Sequence, residues 1–265
     1  MLLASLNPFE HVLDTEHWHF FETMHLGFKL PIGTKFLVLQ LIAAGLMCAF
    51  FIPLARKIKG GQPPRGWFWN ALEVLLTYIR DNVAKPCLGD HDCDKYTPFL
   101  WTIFLYILFC NLLGMFPFMG SPTGSFWVTS ALAICAFAVI HGAAIMKHGP
   151  IHYLHSYMPH VDAPGGFFIG LFIAGIEIFG HLIKTFVLAT RLFANIFAGH
   201  TVLAVILLLI VMAKDVGLLF WPIAISSVLG VTALSFLELF VAFLQAFVFT
   251  YLTAIFLGST LHPEH

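Results

Sequence analysis

Long apolar stretches separated by short polar loops are the main feature of this chain. Stretches long enough to form a helix across a hydrocarbon core of about 30 Å fall at residues 36–54, 99–119, 126–146, 167–213 and 216–258. Only helices and closed barrels satisfy every backbone polar group within lipid. We therefore predict an all-α integral membrane protein with about five membrane helices.

The last two apolar stretches are too long for upright helices. At a rise of 1.5 Å per residue, each would give about 65–70 Å of helix, more than twice the thickness of a bilayer core. Each stretch is either two short spans or one steeply tilted helix, and periodicity does not decide between them. Because no proline or glycine pair offers a turn near Lys184 and Arg191, we favour two long, strongly tilted helices. The short link Lys214-Asp215 would join them as a hairpin.

Residues 66–84 have a different, amphipathic pattern. One side of a helix over this segment carries Phe68, Leu72, Leu75, Ile79 and Val83. Charged side chains lie elsewhere around this helix, and tryptophans and basic residues flank it. A helix of this kind lies in the membrane interface or covers other helices. We predict an amphipathic interfacial helix here.

The composition excludes an ordinary soluble domain. The 265 residues are 59% hydrophobic and 10% charged, with a mean hydropathy of +0.89. Soluble domains carry roughly 25% charged residues, so the lipid bilayer must be the solvent for much of the surface. The formal net charge of −1 provides no basic surface for nucleic acid.

The termini and the cysteines indicate no further chemistry. Residues 1–35 are polar and aromatic, and we place this N-terminal segment at the outer face, ahead of a membrane domain at 36–265. It lacks the basic start of a signal peptide, so we expect the mature chain to begin near Met1. The five cysteines do not form a disulfide framework. Cys87 and Cys93 bracket an acidic segment in a predicted loop, but they match no zinc spacing, and we interpret them as incidental.

The distribution of basic residues predicts the topology. The loop after the first apolar stretch carries the densest positive charge, in Arg56, Lys57, Lys59, Arg65, Arg80, Lys85 and Lys95. By the positive-inside rule that loop is cytoplasmic. The N-terminus is then outside and, after five crossings, the C-terminus is cytoplasmic.

Ionisable and amide side chains interrupt the two longest apolar stretches. They are Glu177, His181, Lys184, Arg191, Asn195 and His200 in the first, and Glu238 and Gln245 in the second. A charge at the centre of a membrane helix costs about 2.5–3.5 kcal/mol on insertion scales, so such residues indicate function by default. An arrangement of eight polar groups on two neighbouring helices favours an ion pathway.

The spacing of these groups is ordered around the helix axis. At 100° per residue, Lys184 lies about 20° from Arg191, and Glu177 and Asn195 lie about 40° from it. His200 lies on roughly the opposite side of the helix, beyond Arg191 toward the outer face. Glu238 and Gln245 share one face because they are seven residues apart.

This stripe suits proton movement around a fixed cation. Arginine stays protonated at physiological pH, so Arg191 attracts a carboxylate and repels protons without relaying them. Carboxyl and imidazole groups such as Glu177, His200 and Glu238 can load and release protons near neutral pH when burial and neighbours shift them. Ion pairs that merely hold helices together, or a purely structural membrane scaffold, explain single residues but not the whole stripe.

These residues resemble a known family. The run KTFVLATRLFANIFAGH at 184–200 closely resembles the fifth-helix signature of subunit a of the F-type ATP synthase. Glu238 and the segment 244–247 (LQAF) resemble the sixth helix, and 110–117 (CNLLGMFP) resembles the end of the third. Gly114 departs from the pattern, since some relatives carry an acid there, and this departure argues against a channel role for the third helix.

The resemblance implies a role for each matching residue. Arg191 matches the stator arginine that faces the ring of c subunits and separates two aqueous half-channels. His200 and Glu238 match the pair that lines the outer half-channel, and Glu177 matches the acid of the cytoplasmic one. Asn195 and Gln245 match polar channel neighbours, and Lys184 and His181 belong to the same polar stripe.

The resemblance also implies partners and a location. We expect a proton-conducting, non-catalytic subunit of the bacterial plasma (inner) membrane, bound to the c-ring and to the subunit b peripheral stalk, without cofactor or metal. The sequence has no Gly-x-x-x-x-Gly-Lys-Ser/Thr loop for ATP. The alternative is a self-contained proton-coupled secondary transporter, which predicts repeated halves with helices broken by glycine or proline. No such repeat is present.

Overall fold

The structure is a computed structural model of the full chain. It describes residues 35–59, 66–115, 121–150, 153, 166–213 and 220–262. The N-terminal segment 1–35, with the exception of Lys35, and the Lys214-Asp215 link lie outside these residues. Within them the regular structure is helical, with no β-strand, as the apolar pattern predicts.

The first helices have bounds that differ from the apolar stretches. Helix α1 spans Lys35–Lys59 and α2 spans Trp67–Ile79. One wider π-helical turn, Arg80–Ala84, connects α2 to α3, Lys85–Gly114. Gly89 interrupts the start of α3 with a φ of 72°, a left-handed conformation that glycine adopts without steric cost.

The sequence predicted a loop at Cys87. This prediction was wrong, because Cys87 lies in the first turn of α3. The five cysteines are free thiols. Proline at position 86 suits this place, because the first turn of a helix needs no backbone N–H from it.

Helix α4 spans Phe126–His148, and a short turn over Pro122–Gly124 precedes it. Its last turn carries Lys147 and His148, where positive charge interacts favourably with the helix dipole. Just beyond this helix, the backbone N–H of Tyr153 donates a hydrogen bond to the carbonyl of Gly149.

Each of the two longest apolar stretches contains one continuous helix. Helix α5 runs Gly166–Met212 and α6 runs Phe220–Leu261, with 47 and 42 residues. Neither breaks into two short spans. Pro222 occupies the first turn of α6, where it costs no helical hydrogen bond. The tilt of these helices in a bilayer stays a prediction.

Five helical segments are long and apolar enough to cross a membrane: Phe36–Lys57, Trp67–Gly114, Phe126–His148, Phe172–Met212 and Phe220–Leu261. The second of these includes α2, whose Ile79 and, in the following turn, Val83 are buried while Glu73 and Asp81 are exposed. The chain is a multi-pass, all-α membrane protein. In the most apolar part of α5, only 6% of the residues are buried by the chain itself.

The chain forms two compact units. One contains residues 1–64, 104–129 and 192–247, and the other contains 65–103, 130–191 and 248–265. In the first unit, Ala43, Cys110 and Leu113 form a buried apolar cluster, and the rings of Phe104 and Phe243 pack edge to face with centroids 5.7 Å apart.

In the second unit, a close approach of two backbones shapes the packing. A Cβ added to Gly258 of α6 would lie 2.0 Å from the carbonyl oxygen of Cys87, so only glycine fits at that crossing. The indole of Trp101 donates a hydrogen bond to the carbonyl of Leu76 at 2.8 Å, which fastens α3 to α2.

Candidate functional site

The exposed face of α5 carries three of the predicted site residues. Glu177, Lys184 and Arg191 follow one another at intervals of seven residues, and all three are exposed on the chain. Along the axis, Arg191 lies about 21 Å from Glu177 at 1.5 Å per residue. Large apolar side chains such as Ile183 and Phe186 are exposed beside them. This face combines isolated charges with an apolar surface that the chain leaves uncovered.

His200 and Glu238 form a close pair inside the first unit. His200 Nδ1 lies 3.5 Å from Glu238 Oε1, with side-chain exposures of 18% and 9%. Their helices, α5 and α6, are 38 residues apart in sequence at these positions, so the chain's fold creates the pair. An imidazole and a carboxylate at this distance can pass a proton directly or through one water.

Gly199 makes room for the Glu238 carboxylate. A Cβ added to Gly199 would lie 3.0 Å from Glu238 Oε1, tighter than ordinary van der Waals contact. The glycine before the histidine therefore allows the acid to sit against the backbone of α5.

Two buried polar atoms on α6 make no hydrogen bond within the described residues. Within the described part of the chain, Glu238 Oε1 and Gln245 Nε2 are buried and make no hydrogen bond. Buried polar atoms are nearly always hydrogen-bonded, and each exception calls for an explanation. The two residues are separated by about 10.5 Å along the helix axis, on one side of α6.

A saturated polar network lies between those two positions. The Asn111 amide donates to the carbonyl of Ala242 at 3.2 Å, and its oxygen accepts from Thr123 at 2.6 Å. The hydroxyls of Ser121 and Thr123 are 2.6 Å apart. All three polar side chains are buried. The network connects α3 and the turn before α4 to the segment of α6 between Glu238 and Gln245.

The same network explains the departure at Gly114. A Cβ added to Gly114 would lie 2.3 Å from the Cβ of Ser121. An acidic side chain cannot be placed there without moving the turn. In this chain, α3 contributes a polar amide, Asn111, one turn before the glycine. Sequence reasoning quoted Asn111 as part of a motif and assigned it no role.

The other predicted residues have separate surroundings. His181 is half-buried and its ring centroid lies 5.3 Å from that of His141 of α4. Lys184 Nζ lies 5.3 Å from the centre of the Phe256 ring, a cation–π distance. Asn195 is half-buried on α5. Sequence reasoning missed His141, although an imidazole within an apolar span was itself a signal.

A second buried carboxylate lies in the other unit. Asp92 Oδ2 accepts from Lys147 Nζ at 2.6 Å and lies 3.2 Å from His262 Nε2. His91 Nδ1 is 3.6 Å from the other carboxylate oxygen. We call Asp92, Lys147 and His262 the Asp92 cluster. It connects α3, the end of α4 and the end of α6.

Comparisons with known proteins identify the family. The profile of the family described as ATP synthase A chain matches residues 37–258, which is most of the chain. The chain belongs to the ATP synthase subunit a family.

Individual relatives agree with this assignment. The ATP synthase subunit a of Chloroherpeton thalassium is 35% identical over 98% of this chain and 78% of its own length. That of Myxococcus xanthus is 38% identical over 88% of this chain and 74% of its own. The ATP synthase subunit a 2 of Chlorobium luteolum is 35% identical over 95% and 74%.

The family assignment has direct consequences. The chain is a membrane subunit of a multi-subunit ATP synthase, and it belongs to the machinery of ATP synthesis and proton transport. It also confirms the resemblance that the runs at 184–200 and 244–247 predict.

Proposed function

We propose that this chain is the proton-conducting stator of a rotary ATP synthase, with two half-channels that meet at Arg191. The observation that carries this proposal is the buried His200–Glu238 pair, whose histidine is on the same helix, α5, as the exposed guanidinium of Arg191. The subunit itself has no catalytic role. Its work is to deliver protons to a ring of c subunits and to receive them back.

The outer half-channel ends at His200 and Glu238. His200 Nδ1 and Glu238 Oε1 are 3.5 Å apart, close enough to exchange a proton after a small movement. The same oxygen makes no hydrogen bond to any residue that the structure describes, so it can also accept a proton from water. The network at Asn111 meets α6 at Ala242, about one turn beyond Glu238, and Gln245 lies about two turns beyond Glu238. We propose that these polar side chains line a narrow, water-filled half-channel.

Arg191 separates the two half-channels. Its side chain stays charged at any physiological pH and is exposed on α5, where a carboxylate of the ring can approach it. It favours the ionised carboxylate and repels protons, so that protons do not pass straight from one half-channel to the other. Asn195, one turn later, is a polar neighbour for the arriving carboxylate.

The cytoplasmic half-channel uses Glu177, with His181 and Lys184 on the following turns. Glu177 is exposed on the same face as Arg191, and its carboxylate can receive the proton that the ring releases. A membrane potential supplies about 2.3 kcal/mol per charge for each 100 mV. That energy turns the ring against this fixed surface and thereby drives ATP synthesis.

The charges of Glu177, Lys184 and Arg191 on the exposed face of α5 support a protein partner at this face, because charges that face lipid are costly. We propose the c-ring as that partner, subunit b of the peripheral stalk as a second, and the plasma (inner) membrane of a bacterium as the location. The positive loop after α1 supports an outer N-terminus and a cytoplasmic C-terminus.

The test is the variant Arg191→Ala in the assembled complex. ATP-driven proton pumping in inverted vesicles should be abolished, while the amount of this subunit that copurifies with the ring should stay at the wild-type level. The matched control is Arg80→Ala, since Arg80 pairs with Asp94 at the surface at 2.7 Å. Normal pumping by Arg191→Ala would refute the stator role.

A further inference from the structure

His141 of α4 contacts His181 of the polar stripe and Tyr153, and the stator function as proposed above uses neither His141 nor Tyr153. His141 is the only histidine of α4 before the Lys147-His148 end of the helix. Its Nδ1 is hydrogen-bonded to the hydroxyl of Tyr153. Its ring centroid is 5.3 Å from that of His181, with the planes inclined by 47°. His141, Tyr153 and His181 are all half-buried.

The cluster connects α5 with the segment beyond α4. Tyr153 follows the end of α4, next to the basic pair Lys147-His148, whereas His181 lies one turn after Glu177. The ring of Phe137 packs against His141 at 3.9 Å and closes one side of the imidazole. The imidazole of His141 therefore contacts one apolar ring, one hydroxyl and a second imidazole.

We propose that Tyr153, His141 and His181 form a proton relay between the cytoplasmic surface and the Glu177 end of the polar stripe. This inference rests on the proposed stator function, because it extends the cytoplasmic half-channel of that function. The relay adds two residues, His141 and Tyr153, to those that the α5 pattern indicates.

The transfer balances at each step. Toward the cytoplasm, His181 takes up a proton from Glu177, and the resulting imidazolium gives one proton to Nε2 of His141, directly or through one water. His141 then releases the proton on Nδ1 to the Tyr153 oxygen as that hydroxyl gives its own proton to water. The two rings then return to their starting tautomers by turning or by a second exchange, and no bond other than O–H and N–H changes.

The charges around the pair favour one proton at a time. Two imidazolium rings at this distance repel each other, so the second protonation is disfavoured when the first ring is charged. Glu177 and Lys184 flank His181 on α5 and oppose each other in sign. Lys184 is drawn to the Phe256 ring, which leaves Glu177 as the acid that exchanges with His181.

The test measures ATP-driven pumping by the whole complex in inverted vesicles, across cytoplasmic-side pH from about 5.5 to 8.5, where histidine titrates. His141→Gln should lower the rate about tenfold per assembled complex, in the lower range of proton-transfer effects. It should also remove a step from the pH profile of the wild type. Tyr153→Phe, which removes one oxygen atom, should give a smaller loss in the same direction.

Two matched controls separate the relay from packing. Tyr106→Phe removes a hydroxyl that bonds Gln40 at 3.3 Å in the other unit. His148→Gln replaces a ring that contacts the carbonyl oxygen of Leu261 at 3.1 Å. Both should keep the wild-type pH profile.

Wild-type rates and profiles in both His141→Gln and Tyr153→Phe would overturn the relay. A uniform loss at every pH would overturn it too, since a packing defect predicts that result. If Arg191→Ala also pumped normally in the same assay, the stator function would fail; if Arg191→Ala were inactive, only the relay would fail.

Discussion

Asp92 and Glu238 are nearly equally buried, with residue exposures of 9% and 8%, yet their surroundings are opposite. Asp92 has an ammonium group at 2.6 Å and an imidazole at 3.2 Å. Glu238 has an imidazole at 3.5 Å and a buried oxygen that no hydrogen bond satisfies within the described residues. A saturated carboxylate is held in its ionised form and joins helices. A carboxylate with spare capacity can change its protonation state.

The comparison shows that burial of a charge does not distinguish structure from function. Breaking a saturated buried pair exposes the cost of an uncompensated charge, so its removal should reduce stability. Removing an acid with few hydrogen bonds costs little stability, but it removes a group that can bind and release a proton. A variant of Asp92 should therefore show a defect in stability, and a variant of Glu238 should show a defect in proton pumping.

The largest effect is expected for Glu238→Gln. The amide keeps the size of the side chain and cannot exchange a proton with His200, so pumping per assembled complex should fall about 100-fold or more. Proton pumping in inverted vesicles measures the rate, and copurification with the complex measures assembly. Pumping near the wild-type rate would show that Glu238 is not on the proton path.

A smaller effect, on stability alone, is expected for Asp92→Asn. The charged hydrogen bond to Lys147 is lost, which should cost about 1–2 kcal/mol, while pumping per assembled complex stays unchanged. The thermal midpoint for loss of this subunit from the purified complex measures it.

The control for Asp92→Asn is Asp94→Asn, two residues later. Asp94 pairs with Arg80 at the surface, with side chains 71% and 42% exposed, and exposed pairs contribute about 0–1 kcal/mol. If both variants lowered the midpoint equally, the Asp92 cluster would have no special structural role.

The smallest effect is expected for Gly199→Ala. The added Cβ would lie 3.0 Å from Glu238 Oε1, so the acid must shift by a few tenths of an ångström, and pumping should fall by about two- to threefold, within the range of a 0.5 kcal/mol perturbation. Gly45→Ala serves as the control, because nothing lies within 4 Å of its added Cβ. Equal rates in the two variants would mean that the carboxylate position does not limit proton flow.

Much of the fold follows from the apolar pattern, because lipid leaves helices as the main way to satisfy a spanning backbone. The pattern also predicts the polar groups of α5 and α6, since charges inside an apolar stretch stand out. Helix bounds were harder. The start of α3 at Lys85 lies well before the apolar stretch at 99–119, in a polar segment that the apolar pattern assigns to a loop.

The contacts between helices could not be predicted from the hydrophobic pattern of the sequence. His200 and Glu238 fall together only because α6 folds against α5, and periodicity within a helix carries no information on its neighbour. The motif resemblance supplied that pairing instead. His141 and Tyr153 belong to no such motif, so only their proximity to each other and to His181 draws attention to them.

Because α5 is one continuous helix, it fixes the spacing of its charged side chains. Glu177, Lys184 and Arg191 follow one another at intervals of seven residues on this helix, so a residue inserted after Lys184 would advance Arg191 by about 1.5 Å and rotate it by about 100° around the axis. Such a chain would keep its hydrophobic character and nearly the same helix length. It would place Arg191 on a different side of α5 from Glu177 and Lys184, so the number of residues in this segment matters as well as their identity.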